Sequence, residues 1–346
     1  MKVTLFEEHG GPDVLQYTEY PKPEVGPKQV LVEIKAVALN HLDLFVRSGI
    51  PGLKLPLPHI LGSDISGVIA EAGEDVPQHL EVGQKVVIDP GISCRVCEFC
   101  VAGEESLCPT YGILGEHSKG GYAEYIAIDS DSVISIPDTA NVDFIQAAAV
   151  PLTFMTAWRL MVTKARVRPG DDVLIIGIGG GVAVAALQIA KLAGARTIVT
   201  SSSDVKLEKA RQLGADIGIN HSDTPEYHRE VYSLTGKRGV DIVVDSVGEA
   251  TWSKSLRSLR KGGRLVTPGA TSGPNAVTNV NLVFWKQLEI LGSTMGSRSE
   301  LREVLKLVWD CKLHPVVDSV YPLSKAKEAH EFLEKGGQFG KLVLRP

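Results

Sequence analysis

The sequence predicts an α/β protein of two domains, a β-rich one at the N-terminus followed by a doubly wound parallel sheet. Three observations carry this. Residues 171–195 (DDVLIIGIGGGVAVAALQIAKLAGA) join a short apolar strand, a glycine cluster and a helix rich in Ala and Leu. From Pro151 onward strand and helix patterns alternate, as they do when βα units place helices on both faces of a parallel sheet. Before Pro151 the strands are separated by frequent Gly and Pro turns, such as 10–12, 21–23, 26–27, 51–52 and 56–58, which suits a mostly antiparallel domain. A length of 346 residues accommodates two domains at roughly 150 residues each.

In the first domain, residues 30–39 (VLVEIKAVAL) mix alternating and continuous apolar character and read as a strand. Residues 65–72, 85–88 and 122–128 are further strands. In the second, residues 173–176 form the buried opening strand and 182–192 its helix, ending near Gly194. Then follow a strand at 196–200, a helix at 204–213 with Asp204 as N-cap, a strand at 216–219 and a helix at 226–235. The pattern continues with a strand at 240–245, a helix at 250–259, and strands at 264–267 and 289–293. Amphipathic helices at 300–311 and 324–334 precede a last strand at 341–345. No repeats, low-complexity tracts or long linkers interrupt this order.

Composition excludes several function classes. Apolar content of 44% and charged content of 22% are those of an ordinary globular protein. A net charge of −5 offers no basic field for nucleic acid. The apolar stretch 144–158 is short and contains Pro151, and 173–190 is broken by glycines, so both read as buried core, not membrane spans. The opening MKVTLFEEHG lacks a signal-peptide pattern, and a soluble cytoplasmic protein is expected.

Strand, glycine turn and helix together point to a dinucleotide. Small residues let the backbone approach a pyrophosphate, and free N–H groups at the helix start hold it. Gly177, Gly180, Gly181, Val182 and Ala183 form that turn, with Gly180 as second glycine, Ala183 closing the motif and Ile178 in the first glycine's place.

Cys94, Cys97, Cys100 and Cys108 follow the spacing C-x2-C-x2-C-x7-C. In a reducing compartment four such thiols favour one tetrahedral metal over disulfides. Zinc is expected because it prefers thiolates and makes no redox demand; an iron–sulfur cluster is the chemical rival. Four protein ligands leave no open position, so the site is structural. Cys311 stands alone on a helix and reads as a core thiol.

With these residues and the tracts 244–248 (VDSVG), 262–266 (GGRLV) and 340–344 (GKLVL), the chain resembles the medium-chain dehydrogenase/reductases over essentially its whole length. The resemblance implies a GroES-like β-rich catalytic domain at 1–149 with a structural zinc lobe near 91–110. A Rossmann domain follows at 150–296, and a segment at 297–346 returns to the catalytic domain. Zinc alcohol dehydrogenases of the family bind a catalytic zinc through Cys, His and Cys. Here Asn40 stands in the first position, Ser63 in the second, and residues 151–154 lack the third. His41, His59, Asp43 and Asp64 could supply a rearranged site. Residues 40–49 (NHLDLFVRSG) instead resemble the metal-free quinone oxidoreductase branch, with Phe45 where some members carry a tyrosine hydroxyl.

The same resemblance places the nucleotide. The family's ribose-binding carboxylate maps onto Ser201, and Ser202, Ser203 and Lys206 favour the 2′-phosphate of NADP, although Asp204 offers an alternative ribose contact. Ser246, Val247, Gly269, Ala270, Thr294 and Met295 line the cleft, His41 and Lys341 match positions that meet the pyrophosphate, and Thr153 or Thr156 contacts the nicotinamide amide. Asn40, His41, Asp43 and Thr153 are the implied catalytic set, with Asp43 equally readable as a supporting carboxylate. The implied reaction is hydride transfer from NADPH to a quinone, enone or enoyl compound, whose own oxygen takes up the developing charge. A zinc alcohol dehydrogenase with substituted ligands and a non-catalytic nucleotide-binding protein are the alternatives. Small-molecule substrates and a homodimer or homotetramer are the implied partners.

Overall fold

A computed structural model describes residues 1–346. Chain contacts divide it into two units: Met1–Leu152 with Ser297–Cys311 and Pro315–Pro346, and Thr153–Gly296 with Lys312–His314.

The first unit is built on a seven-stranded sheet. Its strands run Val133–Ser135, Lys85–Ile88, Asp64–Ala72, Gln29–Ala38, Lys341–Arg345 and Val317–Pro322 in spatial order, with Tyr125–Asp129 also on Gln29–Ala38. The long central strand is apolar on both faces; Val30, Val32, Ala36, Val37 and Ala38 are fully buried. The last strand pairs antiparallel to it, bringing the C-terminus into the middle of the N-terminal sheet. A small sheet of Gln16–Glu19, Lys2–Phe6 and His59–Ile60 packs on the same core.

The second unit holds six parallel strands, ordered Ile217–Asn220, Arg196–Ser201, Asp172–Ile175, Val240–Val244, Leu259–Thr267 and Glu289–Gly292. The chain starts at Asp172–Ile175, moves outward one way, then returns and moves outward the other way. Helices follow the strands, as the α/β expectation requires. Val173, Leu174 and Ile175 are fully buried, which is why this stretch shows no alternation in the sequence.

Three local readings are corrected. Ser203, not Asp204, caps the Asp204–Gln212 helix; its side chain accepts from the Lys206 N–H, while Asp204 lies in the first turn, where a negative charge also suits the helix dipole. Cys311 is exposed and lies beyond the Arg298–Trp309 helix at a left-handed φ of 54°, so it is no core thiol. Residues 144–158 are core as expected, but as two helices, Phe144–Ala148 and Pro151–Trp158. No helix is long and apolar enough to cross a membrane.

Candidate active site and metal centre

The four cysteines converge because their loop turns twice. Cys94 follows the short strand Gly91–Ile92, Arg95 adopts a left-handed φ of 63°, Cys97 caps the Glu98–Val101 helix that carries Cys100, and Cys108 ends a 3-10 turn. All four Sγ atoms lie within 4.8 Å of one another. A zinc ion bonded to sulfur at ~2.3 Å sets tetrahedral sulfurs ~3.8 Å apart; the Cys94 and Cys100 sulfurs are 3.9 Å apart. Backbone N–H groups already serve the sulfurs: Cys94 N–H donates to Cys108 Sγ and Cys97 N–H to Cys94 Sγ, each at 3.4 Å. The Cys94 N–H, with the Thr110 hydroxyl, pulls the Cys108 thiol down to about 6. The donor set fits a zinc ion enclosed entirely by protein ligands.

A second polar cluster forms where three neighbouring strands end. Ala38 pairs with Asp64 on one side and Val343 on the other, so Asn40, Asp64 and Lys341 meet. Lys341 Nζ lies 2.9 Å from Asp64 Oδ2 and 2.5 Å from Asn40 Oδ1. Asn40 Nδ2 donates to Asp64 Oδ2 at 2.9 Å, and the Leu152 N–H donates to Asp64 Oδ1 at 2.7 Å. All three side chains are buried. Lys341 thus holds an internal ion pair, and both Asp64 oxygens are engaged. Ser63, next to this pair in sequence, keeps a buried hydroxyl with no hydrogen-bond partner.

Asn40 also caps the His41–Ser48 helix, and Asp43 closes the capping box by accepting the Asn40 N–H at 2.7 Å. Its other oxygen accepts the Gly62 N–H at 3.0 Å. Gly62 has φ of 102°, and a Cβ there would stand 2.6 Å from the Tyr122 ring, so only glycine presents this donor. Burial pushes the Asp43 carboxyl up to about 7, against the opposing pull of the Asn40 N–H and Lys341. Burial, and then Lys341, lower the His41 imidazole below its ordinary value, which keeps it neutral near pH 7. His59 is buried elsewhere, with Nε2 3.1 Å from the Gly115 carbonyl oxygen. The His and Asp residues considered for a rearranged metal site therefore have internal partners or a depressed basicity.

Behind Asp43 runs a network with no counterpart in the sequence reading. The Tyr122 hydroxyl hydrogen-bonds to Asp43 and lies 3.0 Å from His330 Nε2. Arg47 Nη1 is 2.9 Å from His330 Nδ1, and Arg47 also pairs with Glu334. The arginine can only donate, so His330 Nδ1 accepts and Nε2 carries the proton. Burial and Arg47 hold His330 down to about 3.

In the second unit the expected nucleotide residues gather at the C-terminal ends of the parallel strands. Gly177, Gly180 and Gly181 follow the strand Asp172–Ile175, with Val182 and Ala183 in the first turn of the Gly181–Leu192 helix. Gly177 takes φ of 70°, and a Cβ at Gly180 would meet nothing within 4 Å. That open space before a helix N-terminus suits a pyrophosphate. Ser201 ends the next strand, followed by Ser202 and, in the helix after it, Lys206. Ser246 and Val247 follow Val240–Val244, Gly269 and Ala270 follow Leu259–Thr267, and Thr294 and Met295 follow Glu289–Gly292. Strand order reverses on either side of Asp172–Ile175, the place where doubly wound sheets open a crevice. Thr153 is buried in the Pro151–Trp158 helix, and the Thr156 hydroxyl stands 3.9 Å from the Met295 sulfur.

Asp245, in the tract 244–248, is a functional residue beyond those expected from the sequence. Its Oδ1 accepts the Val247 and Gly248 N–H groups at 2.9 and 3.1 Å, and its Oδ2 accepts the Ser255 hydroxyl at 2.6 Å, fixing the turn that presents Ser246 and Val247. The signal was a lone acid between a buried strand and a glycine.

The profile of the alcohol dehydrogenase GroES-like domain matches residues 26–138, and that of the zinc-binding dehydrogenases matches residues 181–310. A zinc-type alcohol dehydrogenase-like protein of Schizosaccharomyces pombe is 34% identical, with 100% of this chain and 99% of the relative covered. The chain belongs to the medium-chain dehydrogenase/reductase superfamily. As a medium-chain dehydrogenase/reductase it is an oxidoreductase, and its relatives span two chemistries. Human quinone oxidoreductase is 30% identical over 99% of this chain and 97% of its own length. The crystal structure of an NAD-dependent alcohol dehydrogenase superposes with a TM-score of 0.96 at 48% identity, covering 100% of both chains.

Proposed function

We propose that this medium-chain dehydrogenase/reductase reduces quinones or α,β-unsaturated carbonyl compounds with NADPH, holds one structural zinc, and works without a catalytic metal. The observation that carries this reading is the Asn40–Asp64–Lys341 cluster. Where the family's alcohol dehydrogenases bind zinc through thiolate and imidazole, this chain offers an amide and a hydroxyl, and the nearby acid is already neutralised by an ammonium. A divalent ion there would have weak donors and would face Lys341. Without a Lewis acid an ordinary carbonyl gains little activation, whereas a conjugated acceptor spreads the incoming charge onto its own oxygen.

The nicotinamide, when bound, supplies the hydride. The chain's own residues position and solvate. Asn40 spends one amide hydrogen on Asp64 and retains a second for an enolate oxygen. His41, neutral, does not compete as a charged acid, and Phe45 has no acidic proton. The final proton is assigned to water. Gly177, Gly180, Gly181, Val182 and Ala183 would hold the pyrophosphate, and Asp245 would keep Ser246 and Val247 in place.

The NADP preference is supported by the absence of a carboxylate at Ser201. Asp204, the nearest acid in the sequence, already accepts from Asn220 at 2.9 Å. The Ser201 hydroxyl accepts the Ser203 N–H at 3.1 Å, and Ser202 and Lys206 are the phosphate contacts of this reading. We expect Lys206→Glu to lower kcat/KM for NADPH about tenfold, or ~1.4 kcal/mol, with little change for NADH. Equal use of both nucleotides before and after the change would remove the preference.

A second reading is an NAD-linked alcohol dehydrogenase, favoured by the 48% identity to a protein so described. One experiment separates the two: turnover of quinones, enones, enoyl thioesters and aldehydes with zinc counted on the same sample. Our reading expects one zinc per chain and reduction of conjugated acceptors. Two zinc ions per chain with chelator-sensitive alcohol oxidation would establish the other.

We also propose a homodimer or homotetramer. Support comes from the edge strand Glu289–Gly292 and from Phe284 and Trp285, which are 56% and 72% exposed. Light scattering tests it; a monomer at micromolar concentration would reject it.

A further inference from the structure

The second unit carries a cleft that the dinucleotide site does not use. It lies among the Tyr227–Leu234, Trp252–Ser258 and Val280–Lys286 helices, has a volume of about 650 Å³, and is lined by His228, Arg229, Tyr232, Lys237, Arg257 and Lys286 among others. Four of these are cations, and no lining residue is acidic. We propose that this cleft binds a small anion carrying two or more phosphate groups.

Topology separates it from the nucleotide crevice. Lys237 lies just before the strand Val240–Val244, Arg257 just before Leu259–Thr267, and Lys286 just before Glu289–Gly292. The cleft therefore sits at the N-terminal ends of the strands, whereas doubly wound sheets bind dinucleotides at the opposite ends. Five strand residues at ~3.3 Å each put roughly 16 Å between the two.

Charge pairing distinguishes these cations from their neighbours. Arg238 and Arg260, close by in sequence, are both neutralised by Asp241, at 2.7 and 2.5 Å. Arg229, Lys237 and Arg257 are exposed, and their side chains make no ion pair or hydrogen bond. Lys286 Nζ donates to the carbonyls of Arg257 and Leu259 at 2.9 and 2.6 Å, which leaves its third proton available, and it stands 5.3 Å from the Tyr232 ring centre. His228 is nine-tenths buried, and its Nδ1 has no hydrogen-bond partner. The one acid near it, Glu226, is half-exposed with an oxygen 3.5 Å from that nitrogen.

Helix dipoles do not account for the cluster. Three helix C-termini meet here, each worth roughly half a negative charge, or about −1.5 together, against four full positive charges. Arg229 sits in the first turn of its helix, the end at which a cation is unfavourable. Lys237 takes a left-handed φ of 65°, which a lysine adopts only against steric resistance. The chain keeps a long cation at a position that favours glycine. Multiple phosphates match this set: guanidinium forks and ammonium groups line one cleft, and the carboxylate beside it, that of Glu226, faces His228 and not the arginines or lysines.

The test is calorimetric titration of the full-length protein with sodium tripolyphosphate, alone and with saturating NADPH. One saturable site per chain is expected, with the same affinity in both cases. Charge reversal by Arg229→Glu with Arg257→Glu should weaken it at least about tenfold, the loss of one charge-assisted hydrogen bond being enough for that. Lys237→Gly should weaken it by a smaller factor while leaving the thermal midpoint unchanged or higher, since the backbone strain is relieved. Affinity weaker than about 1 mM, displacement by NADPH, or unchanged affinity in the folded variants would overturn the proposal.

Discussion

The cysteine lobe and the cluster around Asn40 lie in the same unit, and each gathers negative or electron-rich donors at close range. They differ in where the compensating cation comes from. In the lobe, four sulfurs crowd within 4.8 Å with N–H groups and a hydroxyl beside them, so a cation that balances them would come from solution. At Asn40 the cation is part of the chain: Lys341, carried on the last strand, reaches Asp64 across a sequence separation of 277. The difference teaches that a zinc-filled lobe would owe its order to what is dissolved around the protein, while the second cluster is completed by folding alone.

The sharpest way to break this comparison is to remove the internal cation. Lys341→Met should leave Asp64 buried and unpaired and cost about 3–5 kcal/mol in urea unfolding. A loss below ~1 kcal/mol would mean that the ammonium does not compensate the acid. The same change should raise the Asp43 carboxyl further, because Lys341 is one of the groups that hold it down.

Asp43 gives the next largest effect, through pH. Its folded carboxyl is raised from 3.8 to about 7, mainly by burial. A raised acid favours the folded state when protonated, so the contribution is complete near pH 4 and is lost as pH rises through about 7. Across that interval it amounts to roughly 4 kcal/mol at 1.36 kcal/mol per pH unit. The stability of the native chain relative to Asp43→Asn should therefore fall between pH 4 and pH 8. A difference that is flat with pH would show the carboxylate to be fully stabilised by its Asn40, Gly62 and Tyr122 donors.

For the lobe, Cys97→Ser should reduce zinc affinity by more than the 10–100-fold that follows loss of an outer-shell partner, or roughly 3 kcal/mol. Bound metal per chain and the thermal midpoint should fall together, while nicotinamide nucleotide affinity stays within about twofold. Loss of turnover in a folded, zinc-depleted variant with intact nucleotide binding would overturn a purely structural lobe.

These two sites were unequally legible in the sequence. The first and last cysteines are 14 positions apart, so their spacing alone defines the site. The glycine turn and the parallel sheet were legible for the same reason: strand, turn and helix are contiguous. The Asn40–Asp64–Lys341 cluster could only be assembled once strand pairing placed Asp64 and Val343 on either side of Ala38. The Arg47–His330–Tyr122 network, with separations of 283 and 208 residues, left no local trace. Short elements were lost because tertiary packing, not periodicity, makes them. The His41–Ser48 helix has only eight residues, and the half-buried strand Val317–Pro322 ends on a proline without clean alternation. Beyond Trp309 the helical pattern misled in the other direction, carrying Cys311 into a helix that the backbone had already left.

The smallest predicted effect separates the two kinds of site most finely. Ser63 stands where the resemblance would require an imidazole on zinc, yet the residue is 1% exposed and its hydroxyl is unpartnered. A buried hydroxyl without a partner carries a desolvation cost of about 1–3 kcal/mol. If the cluster is completed by Lys341 alone, Ser63→Ala removes that cost at the expense of a small void, and stability should rise by about 1 kcal/mol with zinc unchanged at one per chain. A ligand behaves oppositely. Should Ser63→Ala lower both stability and the zinc count from two to one, the hydroxyl would be holding a second metal, and the contrast between an imported and a built-in cation would fail at this residue.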